Sequence, residues 1–332
     1  MIRLEYIWLD GSNKLRSKVK FLNFTNERLT LKDIPQWNYD GSSTNQATTK
    51  DSEVLLRPVQ LYRNCFDGGC FVLCDTWVYD VDNKLVAHST NSRYSLEKIF
   101  EYDHLENQSL FGIEYEFFVT NNDLPLGYKD TEKQGRYYCG VGTGNAYGRE
   151  FLSTAANLCL KSELNLTGTN LEVAPGQMEI QICEYGLKAA DDSIILKYIL
   201  ARLAEINGYK IDWRAKVLDG DWNCSGCHVN FSTQKMRSEN GYDYILKAID
   251  KLKLKHSEHI DVYGEDNYLR LTGTHETSSL DTFSFGVGSR NTSIRIPKET
   301  FLNKKGYFED RRPSSSANMY LVVGKLYKTC CL

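Results

Sequence analysis

No stretch of the sequence reaches the ~18–20 consecutive apolar residues that a bilayer-spanning helix needs, so the chain is not expected to cross a membrane. An excess of one sign of charge is missing too. Forty Lys and Arg stand against 43 Asp and Glu, a net −3, which offers neither a nucleic-acid-binding arm nor a polybasic membrane patch. An export signal is not expected, because Met1-Ile-Arg-Leu-Glu-Tyr sets charges at Arg3 and Glu5 with no sustained apolar run. That makes the expected location cytoplasmic and the ten cysteines reduced thiols. Internal repeats and low-complexity tracts are absent, and so is a G-x-x-x-x-G-K-[ST] loop. The glycine-rich run from Gly140 to Gly148 fits no G-x-G-x-x-G register. A nucleotide, if used, is held by another architecture.

Cysteine is present in a suggestive place. Trp222-Asn-Cys-Ser-Gly-Cys-His228 has the spacing of a c-type haem attachment site, and Cys224-x-x-Cys227 could be half a zinc site or a redox dithiol. Covalent haem attachment goes with export. A four-cysteine zinc site needs a second close pair, which Cys65, Cys70 and Cys74 do not supply. Neither haem nor zinc is expected, and the pair reads as structural thiols.

The composition is globular, 41% hydrophobic and 25% charged, with length for one large domain or two ordinary ones. Short apolar runs at Glu5–Leu9, Lys18–Leu22 and Phe71–Cys74 predict strands of a small sheet. The polar stretch Asn38-Tyr-Asp-Gly-Ser-Ser-Thr-Asn-Gln46 reads as a long surface loop. A linker-like segment from His88 precedes a helix capped by Ser95, placing a domain boundary near 90: residues 1–90 and 91–332. Beyond it, Phe111–Val119 reads as a strand. Tyr147–Leu160, Lys188–Ile206 and Tyr242–Lys255 read as helices, the last with Ile245, Ala248, Ile249 and Leu252 on one face. The class is α+β.

The chemistry is carried by carboxylates. Glu114 and Glu116 stand two apart in an apolar strand and so project from one face. Asn170–Gln181 reads as two strands about Pro175-Gly176, a pair suited to the centre of a type II turn. Counting outward sets Glu172 opposite Glu179, although type II is not the turn that tight hairpins favour. Two carboxylates ~5 Å apart at an effective dielectric of ~20 repel by ~3 kcal/mol, which a cation would offset. His228, Asn230 and Ser232 alternate onto one strand face. Glu309 and Arg311 share another. Carboxylates with one imidazole suit Mg²⁺ or Mn²⁺ better than zinc. Arg270, Arg290 and Arg295 supply further guanidinium groups, and metals with arginines are the equipment of phosphoryl transfer.

Together these segments resemble glutamine synthetase of the eukaryotic type. The likeness runs collinearly through Trp37–Thr44, Phe111–Glu116, Tyr137–Gly142, Gly168–Gln181, Trp222–Thr233, Arg270–Ser278, Ser293–Pro297 and Lys305–Pro313. It implies a small β-grasp domain followed by a catalytic domain with a curved antiparallel sheet and flanking helices, the glutamine synthetase/guanido kinase-like fold. It implies ATP-dependent ligation of ammonia to L-glutamate through γ-glutamyl phosphate, with two to three Mg²⁺ or Mn²⁺ per site. As implied by the resemblance, the metal ligands are Glu114, Glu116, Glu172, Glu179, His228 and Glu309. Asp40, Ser43, Tyr138 and Glu276 match the ammonium pocket, and Asp40, Glu276, Arg290 and Arg311 the catalytic set. Asp221, Trp222, Asn223 and Arg270, with Arg290 and Arg311, match the glutamate site. ATP would meet Asn230, Ser232, Arg290, Arg295, Tyr307, Phe308 and metal-side Glu114, Glu179 and Glu309. The family forms stacked rings, expected as pentamers, with active sites between subunits.

The sequence departs from the family pattern at Leu110, where an aromatic residue is usual, at Cys224-Ser225 in place of Gly-Ala, and in a 182–186 stretch one residue short; the N-terminal helical extension of many relatives is not expected. Two other functions compete: a family member that joins glutamate to a larger amine, and a non-catalytic structural oligomer. The filled ligand positions argue against the second, and the retained ammonium residues against the first.

Overall fold

The structure, a computed structural model, describes residues 1–24, 29–101, 107–129 and 133–332. Contacts group Met1–Lys98 with Leu158–Leu164 into one compact unit, and Ile99–Asn157 with Asn165–Leu332 into another.

In the first unit, runs rich in aromatic and branched residues form β1 (Ile2–Leu9), β2 (Leu15–Leu22), β3 (Trp37–Asp40), β4 (Glu53–Arg63), β5 (Cys70–Tyr79) and β6 (Leu85–Ala87). The sheet order is β2-β1-β5-β4-β3, with β6 on β5. The central pair β1/β5 is parallel and the remaining pairs are antiparallel. Leu4, Tyr6 and Trp8 point from β1 into a core shared with Ile34, Leu56 and Val72. The stretch read as a long loop is shorter than expected. Trp37–Asp40 pairs with β4, and only then does a 3₁₀ turn, Gly41–Thr44, leave the sheet. Trp37 explains the difference, since its ring packs edge-on against Tyr6, 5.3 Å between centroids, and draws the segment onto the sheet.

Helix α1 (Ser92–Phe100) begins earlier than the Ser95 cap would have it. Asn91 Oδ1 accepts from the Tyr94 amide at 3.0 Å, and asparagine is at least as good an N-cap as serine. The second unit then contains β7 (Leu110–Asn121), β8 (Leu124–Pro125), α2 (Arg149–Lys161, whose last residues belong to the first unit), β9 (Leu166–Leu171), β10 (Gln177–Tyr185), α3 (Gly186–Ile206), β11 (Lys210–Asp212) and β12 (Cys227–Ser232). It continues through α4 (Gln234–Arg237), α5 (Gly241–Leu254), α6 (His256–Ile260), β13 (Phe285–Val287), β14 (Ile294–Ile296), α7 (Lys298–Asn303), β15 (Phe308–Asp310) and α8 (Met319–Cys331). Its nine strands run in the order β13-β14-β15-β12-β7-β10-β9, with β8 and β11 on β7. The sheet is antiparallel as expected except for one parallel edge pair, β13/β14.

One face of this sheet is apolar. Phe111, Ile113, Tyr115 and Phe117 of β7 are fully buried, and α3 packs on β7 and β10. Lys197 of α3 lies 4.6 Å from the Tyr115 ring centroid, which fixes α3 on that face. Helix α8 packs in turn on α3 and α5. The alternate residues of the same strands are left to the other face. Among the described residues no helix is long and apolar enough to cross a membrane.

Candidate active site

Strand pairing arranges the polar face in rows. Glu114 of β7 stands between His228 of β12 and Gln181 of β10. Glu116 opposes Glu179, which on its other side opposes Asn170 of β9. Asn230 of β12 lies between Gly112 and Glu309 of β15, and Glu309 in turn opposes Arg295 of β14.

The expected hairpin register is off by two residues. Ala174–Gln177 does form a turn about Pro175-Gly176, closed by the Gln177 amide on the Ala174 carbonyl at 3.2 Å, with Gly176 at φ +69°. The ladder resumes only at Glu172, whose amide donates to the Gln177 carbonyl, so Glu179 faces Asn170 rather than Glu172. A slip of two keeps every side chain on its face. Glu172 therefore still reaches the same acid group, and the directly opposed glutamate pair is Glu116–Glu179.

Two clusters of donor atoms result, each with its atoms within 4.8 Å of one another: Glu114, His228 and Glu309, and Glu116, Glu172 and Glu179. His228 Nδ1 lies 3.5 Å from Glu114 Oε2 and 3.4 Å from Glu309 Oε1. Each carboxylate is aimed by a neighbour. Asn230 Nδ2 donates to Glu114 at 2.6 Å, the Gly226 amide to Glu116 at 2.7 Å, and Asn170 Nδ2 to Glu172 at 2.8 Å. Gln181 Nε2 donates to Glu179 at 2.5 Å. Burial pushes the Glu179 carboxyl up to about 8, and the facing charge of Glu116 adds to it. Glu116 and Glu172 are raised for the same two reasons, burial first and then a neighbouring glutamate. His228 is held far below the ordinary imidazole range by burial and by Arg311, which leaves it neutral, the form that binds metal. Oxygen donors with one neutral imidazole fit a hard divalent cation, whose charge offsets the crowding.

Arginines face the acids. Arg311 Nη1 is 2.5 Å from Glu309 Oε1, Arg295 Nη1 3.1 Å from Glu309 Oε2, and Arg290 Nη1 2.8 Å from Glu276 Oε2. Arg270, 2% exposed, spends Nη2 on the carbonyls of Arg311, Arg312 and Pro313 and Nε on Asn267. A Cβ at Gly226 would lie 3.2 Å from its Nη1 and 2.8 Å from His228 Nε2, so only glycine lets these two groups approach the strand end. Glu276 sits at a turn closed by the Thr277 amide on the Thr274 carbonyl at 3.1 Å. Its central residues, His275 and Glu276, have φ +50° and +60°, as a type I′ turn requires, a conformation disfavoured by of order 1 kcal/mol for residues with a Cβ.

These groups line one cavity of about 220 Å³. The metal-type residues Glu114, Glu116, Glu172, Glu179, His228 and Glu309 are all there. So are Tyr138, Asn223, Arg270, Glu276, Arg290, Arg295 and Arg311. Other candidates lie outside the lining. Asn230 is engaged by Glu114, and Ser232 Oγ accepts from Arg237 at 2.8 Å. Tyr307 is partly exposed, while the Phe308 ring is buried against Phe231. Trp222 is drawn into an apolar cluster with Phe118, Tyr137 and Leu218, because its large ring has more to gain in the core than at a polar wall. Asp221 is exposed and pairs with His275. The side chains of Trp222 and Phe308 are therefore packed in the core and do not line the cavity. Asp40 and Ser43 belong to the first unit, where Asp40 caps the 3₁₀ turn by accepting from Ser42 N, Ser42 Oγ and Ser43 Oγ at 2.6–3.0 Å. The Ser42 hydroxyl, followed by Ser43, holds this exposed carboxyl below its usual range.

Sequence reasoning missed Asn170, Gln181, His275 and Thr277, which also line the cavity. Asn170 and Gln181 were readable in principle, being two apart from Glu172 and Glu179 on one strand face. All ten cysteines are free thiols. Cys224 lines the cavity, whereas Cys227 is wholly buried on the face of β12 opposite His228.

Paired acid clusters faced by arginines have the chemistry that metal-dependent phosphoryl transfer needs. The family model described as "Glutamine synthetase, catalytic domain" matches residues 89–244. A protein of Acanthamoeba polyphaga mimivirus, provisionally named a glutamine synthetase, is 48% identical over 335 residues, covering 99% of this chain and 94% of the relative. The glutamine synthetase of Tuber borchii is 44% identical over 99% of this chain and 92% of its own length, and a cytosolic isozyme of Pinus sylvestris 41% over 99% and 93%. The chain belongs to the glutamine synthetase family.

Proposed function

We infer that the chain ligates ammonia to L-glutamate at the expense of ATP, giving L-glutamine, ADP and phosphate. The observation that carries this reading is the single cavity in which two acid clusters are faced by Arg290, Arg295 and Arg311. Glu114, His228 and Glu309 would hold the cation on the nucleotide side. Glu116, Glu172 and Glu179 would hold a second, on the ammonia side. Mg²⁺ or Mn²⁺ suits both donor sets. A bound ion of this kind neutralises phosphate charge and polarises the phosphoryl oxygens.

The protein's own groups do the rest. Arg270 and Asn223 orient glutamate, with Asp221 and the Trp222 backbone shaping the same wall. Arg311 and Arg290 grip its carboxylate and the phosphoryl group in transfer, and Arg295 the nucleotide phosphates. Asn230, Ser232, Tyr307 and the backbone of Phe308 flank the nucleotide. The γ-carboxylate oxygen of glutamate attacks the terminal phosphorus and ADP leaves. Ammonium, collected by Asp40, Ser43, Tyr138 and Glu276, gives one proton to the Glu276 carboxylate. The ammonia lone pair then attacks the acyl carbon and phosphate departs. Asp40 would serve a neighbouring subunit's cavity within stacked rings, expected as pentamers, in the cytoplasm. Residues 1–90 would form the small domain and 91–332 the catalytic one.

The test is ADP release from ATP, glutamate and Mg²⁺ with and without ammonium. Ammonium-stimulated ADP release with matching glutamine is expected. Ammonium-independent release with no glutamine would sink the reading.

A further inference from the structure

A hydrogen-bonded circuit at the cavity edge joins Asn223 and Asp221, placed at the glutamate wall, to Gln134 and His275, which so far have no role. Gln134 Oε1 accepts from the Asn223 amide at 2.6 Å, which fixes the orientation of its side-chain amide. Its Nε2 therefore donates to His275 Nδ1, 3.1 Å away. With Nδ1 an acceptor, the ring carries a proton on Nε2, where Asp221 Oδ1 lies 3.1 Å away. Asp221 returns through two peptide units to Asn223. The loop is closed, and it ties the wall that carries Asn223 to the crest of the turn that carries Glu276.

The turn needs such a tie. Two consecutive residues with a Cβ occupy the left-handed region at His275 and Glu276, where Asn-Gly is the favoured pair. Glu276 itself is held by the Arg290 ion pair, in which both side chains are about half exposed, and exposed pairs contribute little. The Arg311 guanidinium reaches the Glu276 carbonyl at 3.2 Å. Only the His275 side chain joins the turn to the Asn223 wall among the contacts described.

We propose that His275, locked by Gln134, is a positioning residue that holds the Glu276 carboxylate at a fixed height over the cavity and couples it to the glutamate wall. It touches no reacting atom. Its loss lets the turn relax, so Glu276 meets ammonium less often while nucleotide binding, which depends on groups elsewhere in the cavity, is untouched. This inference rests on the ammonia-ligation reading.

His275→Ala removes both the hydrogen bonds and a residue tolerant of the left-handed region. His275→Asn keeps that tolerance, with an amide oxygen in the place of Nδ1. Gln134→Leu removes the lock. The Ala and Leu variants are expected to raise the ammonium KM about tenfold, equivalent to ~1.4 kcal/mol, with the ATP dissociation constant within about twofold. The Asn variant is expected to recover most of that loss, and the Ala/Leu double variant to be no worse than either single one. Strictly additive losses, or an unchanged ammonium KM in His275→Ala, would overturn the proposal while leaving the ligase reading intact. Absence of glutamine from the unaltered protein would instead overturn that reading. Deuterium exchange of the 270–280 amides needs no turnover and decides the circuit in either case. Faster exchange in His275→Ala than in His275→Asn supports it, and equal exchange refutes it.

Discussion

Glu116 and Glu179 face each other directly across β7 and β10, both less than one-tenth exposed. Like charges opposed in this way destabilise a sheet, and on the proposed reading a divalent cation would turn the liability into a binding site.

Glu179→Gln replaces one of the two crowded carboxyls with a neutral group and keeps the shape. Without added metal the variant is expected to be more stable than the parent by about 1 kcal/mol, read as a higher melting temperature. The stabilisation that Mg²⁺ or Mn²⁺ confers on the parent should largely vanish, and so should ligase activity. A variant that melts lower without metal and keeps its full metal shift would remove Glu179 from the site.

Gly226→Ala should be severe for a single methyl group. The new Cβ would stand 2.8 Å from His228 Nε2, and its neighbours are fixed by strand pairing and buried hydrogen bonds. Overpacking of this kind costs about 1–3 kcal/mol. Denaturant unfolding should report that loss, and metal affinity should fall with it, because His228 is the group displaced.

Arg312 is wholly buried on Asp310, with Nη2–Oδ2 at 2.6 Å. Arg312→Met leaves that carboxylate in the core with Tyr263 as its remaining side-chain donor. Stranding a buried charge costs about 3–5 kcal/mol, so a fall in melting temperature of several degrees is expected. The double variant Arg312→Met/Asp310→Leu should recover part of it. Equal destabilisation of single and double variants would contradict the account.

His259 supplies a pH dependence. Burial, then Arg312, push its imidazole down to about 3, while Nδ1 and Nε2 are engaged by Tyr263 and Thr329. Its unfolded value is ~6.5, so the unfolded chain takes the proton first. The stability this neutral ring contributes is complete above ~6.5 and is lost as pH falls toward 3, by up to ~1.4 kcal/mol per pH unit. His259→Asn should flatten the acid side of the stability profile between pH 6.5 and 4. An unchanged slope would show that other groups govern it.

What could be read from the sequence followed local periodicity. Two-residue alternation sets Glu114 and Glu116 on one face, and the same rule places His228 beside them once β12 is paired. The helical face of Ile245, Ala248, Ile249 and Leu252 is buried as its spacing predicts. The failures lie where a distant contact outweighs a local signal. The Pro175-Gly176 turn forms as its residues predict, but the loop around it is longer than a two-residue hairpin, which moves the partner of Glu179 from the expected Glu172 to Asn170. Trp222, adjacent to a cavity residue, is claimed by the core instead. Gln134 and His275 meet across 141 positions, a distance at which neither periodicity nor spacing carries information.

The division of β7 into an apolar face under α3 and an acidic face over the cavity also bears on how the chain finds its fold. A strand that paired one residue out of step would turn Glu114 and Glu116 toward α3 and bring Ile113, Tyr115 and Phe117 out to the acid side. Buried, unpartnered carboxylates make that arrangement far less stable than the correct one. The carboxylates that crowd the cavity thus serve as a ruler during assembly, penalising every odd slip of the central strand long before any substrate arrives.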